Sequence, residues 1–149
     1  MALRALSSHE RTVSEMEGLL REKGIDEGAL AEVIGQLHED GALDDERFAV
    51  RYAEDKRELA GWGPERIRKA LRERGLSDAL IEPALAAESR EDQLARALEF
   101  LTSRDLAVEE PEDRRRALGA LARRGFESEV SYEAMREHER ARRAGSGNG

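Results

Sequence analysis

The chain has 149 residues, of which 39% are hydrophobic, 39% charged and only 4% aromatic, with a formal net charge of −8. The absence of cysteine excludes disulfides and thiolate metal sites. No apolar run approaches the roughly 20 residues needed to cross a bilayer, and no signal-peptide pattern is present, so we expect a cytoplasmic protein. The acidic balance argues against a primarily non-specific nucleic-acid binder, although it leaves room for a local basic face.

The composition is dominated by strong helix formers, namely Ala, Leu, Glu and Arg. High charge with few aromatic residues could indicate disorder, but the apolar residues recur at helical intervals. Runs of alternating β-branched residues, which would indicate strands, are missing. The sequence therefore predicts an all-α fold.

The first predicted repeat spans residues 1–42 and begins with a shortened helix. Its second helix starts at Thr12, because Thr12 and Glu15 have the spacing of a capping box. Gly24 is predicted to end this helix in the left-handed conformation that glycine tolerates. Asp26 is the predicted N-cap of the third helix.

The second predicted repeat spans residues 43–88 and opens with the segment LDDERFA. Asp44 is predicted to cap its first helix, and Asp45 adds negative charge at the positive end of the helix dipole. Leu43 and Phe48 flank this cap at the positions of a hydrophobic staple. These residues together predict a well-defined helix start.

The next helix of this repeat follows the segment GWGPERI. Gly63 is the predicted cap, and Pro64 takes the first helical position, where its missing N–H costs nothing. Trp62 has the spacing to staple onto Ile67. Gly75 is predicted to end the helix, and the third helix of the repeat follows.

The third predicted repeat spans residues 89–144. Ser89 is predicted to cap its first helix, Asp113 occupies the cap position of its second helix, and Gly125 ends that helix. The glycine-rich segment 145–149 is typical of a flexible tail.

Three glycines stand in the same local setting, in the segments LLREKGI, ALRERGL and ALARRGF. Gly24, Gly75 and Gly125 are separated by 51 and 50 residues. Recurrence at this period predicts three tandem three-helix repeats. Repeats of this size bury little core alone, so neighbours must share hydrophobic surface, and we expect an elongated, curved array.

Residues that could perform chemistry form no recognisable site in the sequence. His9, His38 and His138 are scattered, without a repeated metal-like spacing. Asp44 and Asp45 are adjacent, and adjacent helical residues do not face one another as an acid–base pair would require. No phosphate-binding, hydrolase or zinc motif occurs. We therefore expect no catalytic residue, no metal ligand set and no cofactor.

What remains is the surface of the helix over residues 64–74. Its apolar residues form one face, while Arg68, Lys69 and Arg72 project from the other. This second face is either solvated and salt-bridged, or it is a contact patch for an acidic partner or a nucleic-acid backbone. Trp62 could be a staple, a core residue or a binding anchor. The candidate partner-binding residues are Trp62, Arg66, Arg68, Lys69 and Arg72.

The segments LDDERFA and GWGPERIRKALRERGL resemble the signature of the RecX family, bacterial modulators of the RecA recombinase. The first part of the signature is matched by Leu43, Asp44, Asp45, Phe48 and Ala49. The second part is matched by Gly63, Arg66, Ile67, Leu71, Arg74, Gly75 and Leu76. The resemblance extends over the whole chain, because RecX proteins are also built from three tandem three-helix repeats. Nine of these motif residues are expected to be mainly structural: Leu43, Asp44, Asp45, Phe48, Ala49, Gly63, Ile67, Leu71 and Gly75.

The resemblance implies a protein without enzymatic activity that binds the RecA filament on single-stranded DNA. RecX proteins lie along the groove of this filament, block its extension and thereby damp ATP hydrolysis, strand exchange and coprotease activity. A monomer without membrane contact is expected, with at most weak direct contact to DNA. A helical DNA-binding module that uses the helix 64–74, and a structural adaptor for another charged partner, are the alternatives.

Overall fold

The computed structural model describes residues 10–147, and within this range every regular element is an α-helix. The helices are α1 (Val13–Glu22), α2 (Glu27–Glu39), α3 (Asp45–Ala60), α4 (Pro64–Glu73), α5 (Asp78–Ala86), α6 (Arg90–Ser103), α7 (Pro111–Arg124) and α8 (Ser128–Gly147). The predicted all-α class is confirmed. The shortened helix predicted near the start of the chain, and His9, lie outside the described residues.

Four of the predicted helix starts are confirmed by hydrogen bonds at their N-caps. The side chains of Thr12, Asp26, Asp44 and Ser89 each accept from the backbone N–H three residues later, at 2.9–3.1 Å. Glu15 completes the capping box, because its carboxylate accepts from the Thr12 N–H at 2.9 Å. Each cap satisfies a donor that the first helical turn would otherwise leave without a partner.

Helix α7 begins three residues earlier than the sequence predicted. Its first residue is Pro111 and its N-cap is Glu110, so Asp113 lies at the third helical position rather than at the cap. The Asp113 carboxylate accepts from the Glu110 N–H at 3.4 Å. The physical reason for the earlier start is Pro111, whose fixed φ angle suits the first helical position.

The repeated glycines end α1, α4 and α7 with the same geometry. Gly24, Gly75 and Gly125 have φ angles of 85°, 88° and 98°. Each glycine N–H donates to the carbonyl three residues back, and the next N–H donates to the carbonyl five residues back. This is the Schellman pattern, in which a left-handed residue satisfies the last carbonyls of the helix. The repetition seen in the sequence is therefore a repetition of backbone structure.

The described chain divides into two units, which we call unit 1 (residues 10–55 and 68–85) and unit 2 (residues 56–67 and 86–147). Helices α3 and α4 of the predicted second repeat each contribute to both units. The predicted repeat boundaries remain predictions.

Unit 1 buries apolar side chains from α2, α3, α4 and α5, whereas α1 contributes no fully buried residue. Its buried core residues are Leu30, Leu43, Phe48, Ala49, Ala53, Leu71, Leu76, Ile81, Ala84 and Leu85. The cap Thr12 is also fully buried, and its hydroxyl donates to the Arg74 carbonyl at 2.7 Å. The start of α1 is thus bonded to the end of α4.

Unit 2 has a core made by α6, α7 and α8. Its buried members are Ala97, Leu101, Val108, Ala117, Leu121, Phe126, Val130, Ala134 and Met135. Helix α8 continues beyond this core to Gly147 and so includes the first three residues of the segment 145–149. The residues beyond Gly147 lie outside the described part of the chain.

The extension of α8 covers the loop that leads into α7. Buried His138 contacts the Leu106 carbonyl through Nε2 at 2.7 Å. Arg142 binds the carboxylates of Asp105 and Glu109.

Candidate partner-binding surface

Trp62 lies in the short connection between α3 and α4, and two cations lie over its ring. The Lys56 Nζ is 4.7 Å from the ring centroid, and the Arg66 guanidinium carbon is 4.2 Å away. The side chain is half-buried. The backbone N–H of Trp62 donates to the Lys56 carbonyl at 3.0 Å. We call Lys56, Trp62 and Arg66 the Trp62 cluster. Partly exposed tryptophan and arginine are the residues most enriched at binding hot spots.

The position of this cluster depends on a close backbone contact within unit 2. The Gly63 N–H donates to the Arg124 carbonyl at 2.7 Å, and the Glu65 N–H donates to the Gly125 carbonyl at 2.8 Å. A Cβ atom at position 63 would lie 2.5 Å from the carbonyl of Gly125. Only glycine fits at position 63. The backbone at the end of α7 thereby fixes the first turn of α4, which connects Trp62 to Arg66. The sequence showed a glycine cap, but not its partner.

The predicted basic face of α4 is largely occupied by ion pairs with α5. Arg68 binds Glu82 through two hydrogen bonds of 2.9 Å. Arg72 binds Asp78 in the same way, at 2.9 and 3.1 Å. Lys69 is exposed. The sequence is compatible with both a salt-bridged face and a contact patch, and these pairs favour the salt-bridged face for both arginines.

These pairs also change the acidity of the carboxyl groups. The hydrogen bonds from Arg72 lower the pKa of Asp78, and those from Arg68 lower the pKa of Glu82. The Asp78 hydrogen bond in turn raises the pKa of Arg72. A carboxyl group whose folded-state pKa is lowered stabilises the fold above its unfolded pKa. That contribution is lost as the pH falls through the lowered value.

Replacing Arg72 with alanine is expected to raise the pKa of Asp78 toward that of an ordinary aspartate. The reason is that the hydrogen bond from Arg72 is the main cause of the lowered value. The measurement is a pH titration of the carboxyl carbon by NMR. In the matched variant Arg68→Ala, the pKa of Glu82 should rise instead, with a smaller change at Asp78. An unchanged pKa of Asp78 in Arg72→Ala would show that the pair does not form in solution.

The motif residues of the second repeat are mostly buried or bonded within the fold. Leu43, Phe48, Ala49, Ile67 and Leu71 are between 0% and 3% exposed. These side chains are buried inside the fold and are not available to a partner.

Two charged motif residues hold the start of α1. The Asp45 carboxylate accepts from the Val13 N–H at 2.9 Å. Arg74 forms two hydrogen bonds with the Glu15 carboxylate, at 2.8 and 3.0 Å, and a third with the Glu10 carbonyl at 2.9 Å. The sequence identified Arg74 only as a residue of the family signature. Its partners lie about 60 residues away, and no local pattern marks them.

Ionisable groups form no metal site in the described part of the chain: no group of three His, Cys, Asp or Glu side chains converges there. His38 is exposed, and His138 is bonded within unit 2. None of the helices in the described range is long and apolar enough to span a membrane.

Comparison with known proteins finds one consistent group of relatives. A family model described as RecX, second three-helix domain, matches residues 44–85. The regulatory protein RecX of Mycobacterium sp. (strain JLS) is 34% identical over 140 residues, which covers 89% of this chain and 76% of that protein. The regulatory protein RecX of Deinococcus radiodurans is 38% identical over 137 residues, which covers 91% of this chain and 65% of that protein.

Solved structures with a similar fold are also those of RecX proteins. The crystal structure of RecX from Lactobacillus salivarius has a TM-score of 0.79 and 25% sequence identity, and the match covers 93% of this chain and 92% of that one. A second crystal structure of a regulatory protein RecX has a TM-score of 0.73 and 27% identity. The similarity therefore extends well beyond the segment that the family model matches.

Proposed function

Since this chain belongs to the RecX family of regulatory proteins, we propose that it binds the RecA filament on single-stranded DNA and inhibits it. The inhibited activities are ATP hydrolysis, strand exchange and coprotease cleavage, and the protein itself carries out no reaction. The single observation that carries this proposal is the identity to RecX regulatory proteins along most of the chain. This role places the protein in DNA recombination and repair in the cytoplasm.

The proposed mechanism is a restraint on neighbouring RecA protomers. A chain with repeated helical units offers several related surfaces, as the three equivalent glycine turns indicate. Several weak contacts to successive subunits of a polymer reinforce one another, because each contact raises the effective concentration of the next. The bound protein would then oppose the rotation of protomers or the addition of new ones.

Within this proposal, the Trp62 cluster is the part of the predicted surface best suited to contact RecA. It combines an aromatic ring with two cations, and Arg66 is exposed. Arg68 and Arg72 remain part of the proposed surface, but their charges are compensated by Glu82 and Asp78. The same compensation, with the net charge of −8, disfavours α4 as a DNA-binding helix.

We expect substoichiometric amounts of the protein to lower the rate of ATP hydrolysis by RecA on single-stranded DNA and to shorten its filaments. About tenfold more of the Trp62→Ala variant than of the unmodified protein should be needed for the same inhibition, because tryptophan anchors dominate many interfaces. The measurements are a coupled ATPase assay and electron microscopy of filaments.

The matched control is Tyr132→Ala, which removes a different aromatic ring of unit 2 that is 48% exposed. This variant should inhibit like the unmodified protein. Equal loss in both variants would contradict the role of the Trp62 cluster. An unchanged ATPase rate and filament length with the unmodified protein would refute the proposed function itself.

A further inference from the structure

Unit 2 contains a second cationic feature, which no motif of the sequence marks. Four arginine side chains and one aromatic ring line an open groove of about 250 Å³ between the end of α3, α6 and the end of α7. We call it the arginine groove, and these five lining residues are Arg57, Arg96, Phe100, Arg104 and Arg124. Guanidinium groups that converge on one small space repel each other, unless an anion lies among them.

Two of the four arginines share a single carboxylate. Glu88 binds Arg96 through two hydrogen bonds of 2.6 and 2.9 Å, and it lies 3.7 Å from Arg57. The Glu88 side chain is only 9% exposed, so this contact belongs to the wall of the groove. Arg96 also donates to the Trp62 carbonyl at 3.0 Å. These bonds fix the position of one side of the groove.

The other two arginines have no carboxylate within ion-pair distance among residues 10–147. Arg124 donates to the Ala60 carbonyl at 2.7 Å, and its guanidinium carbon is 5.1 Å from the centre of the Phe100 ring. The Arg104 guanidinium carbon is 4.1 Å from the same centre. Phe100 therefore holds two positive groups near one another without neutralising them.

We propose that the arginine groove binds the side-chain carboxylates of an acidic peptide segment on a protein partner. Arg104 and Arg124 would each donate to the incoming carboxylates, because guanidinium groups match carboxylates in geometry and charge. This site is distinct from the Trp62 cluster, and its existence does not depend on an interaction with RecA.

The surroundings of the groove favour a peptide over a nucleic acid. Glu58 and Glu99 also line the groove, and they would repel a continuous chain of phosphates more than a few spaced carboxylates. The Phe100 ring already has two guanidinium groups against it, which leaves it unsuited to stack on a base. An acidic segment can place its carboxylates at the arginines and keep its backbone away from the glutamates.

The test uses a fluorescein-labelled hexaglutamate peptide, with binding to the full chain followed by fluorescence anisotropy. Arg104→Ala is expected to raise the Kd about fivefold, since Arg104 is exposed and exposed pairs are individually weak. Glu99→Gln should lower the Kd, because it removes a negative charge from the groove. The control Arg140→Ala removes an exposed arginine from α8 and should leave the Kd unchanged. Circular dichroism checks that each variant is folded.

Two results would overturn the proposal. The first concerns the peptide itself. It would be met if hexaglutamate did not bind at millimolar protein, or if Arg104→Ala and Arg140→Ala weakened its binding equally. The other is an unlabelled twelve-residue oligothymidylate that displaces the peptide and itself loses affinity in Arg104→Ala, which would assign the groove to nucleic acid. Neither measurement contains RecA, so both are separate from the test of the proposed function.

Discussion

Gly125→Ala is expected to lower the free energy of unfolding by about 2–5 kcal/mol. Two effects add at this position. Gly125 has a φ angle of 98°, which is unfavourable for any residue with a Cβ atom. The new Cβ would also lie 2.5 Å from the Cβ of Arg66 and 2.6 Å from its backbone nitrogen. The backbone of α4 would have to move, because the backbone nitrogen of a helical residue cannot rotate away.

The matched control is Gly24→Ala, at the corresponding position of the first repeat. Gly24 has a φ angle of 85°, but a Cβ there would meet no atom within 4 Å. Replacing Gly24 should lower the free energy of unfolding only through the unfavourable backbone conformation, by about 1–2 kcal/mol. Urea denaturation followed by circular dichroism measures both variants. Equal losses would show that the contact between α7 and the start of α4 contributes nothing, and that backbone conformation is the whole effect.

The comparison of these glycines also shows what the sequence could predict. Caps and helix ends depend on residues within about five positions of each other, so Thr12, Asp44 and Gly125 could be assigned from local pattern. The contact of Gly63 with Gly125 joins residues 62 positions apart. Each glycine also has a local role, Gly63 at the start of α4 and Gly125 at the end of α7. Because this local role already explains the glycine, the sequence gives no sign of the close contact between the two.

The candidate surface could be predicted only in part, for a similar reason. Helical periodicity separates Arg68 and Arg72 from the apolar face that carries the buried Ile67 and Leu71. Their partners, Glu82 and Asp78, lie on the following helix, and the angle between two helices is not encoded in the spacing of either one. The arginine groove could not be predicted from the sequence, because its residues come from three separate segments.

Arg74→Ala is expected to lower the free energy of unfolding by about 2–4 kcal/mol. The change removes both hydrogen bonds to Glu15, the bond to the Glu10 carbonyl, and the contact with the Phe48 ring at 4.5 Å. It leaves the Glu15 carboxylate, which is only 32% exposed, without its cation. The measurement is urea denaturation at neutral pH.

The pH dependence of this loss separates the ion pair from simple loss of packing. Burial alone would raise the pKa of Glu15, but the hydrogen bonds from Arg74 and Thr12 and the charge of Arg74 together lower it. The stabilisation is therefore complete above the unfolded pKa and disappears as the pH falls through the lowered folded value. The difference between the unmodified chain and Arg74→Ala should shrink below about pH 4.

Arg72→Ala is the matched control, because Arg72 forms an equally well-aligned pair two residues earlier on α4. Arg72 and Asp78 are 54% and 60% exposed, against 26% and 32% for Arg74 and Glu15. Solvent screens the exposed pair, so its loss should change the unfolding free energy far less. Equal effects would mean that the bond between the end of α4 and the start of α1 is no stronger than a surface ion pair. The buried Thr12 hydroxyl, bonded to the Arg74 carbonyl, would then have to hold that junction in place of the arginine side chain.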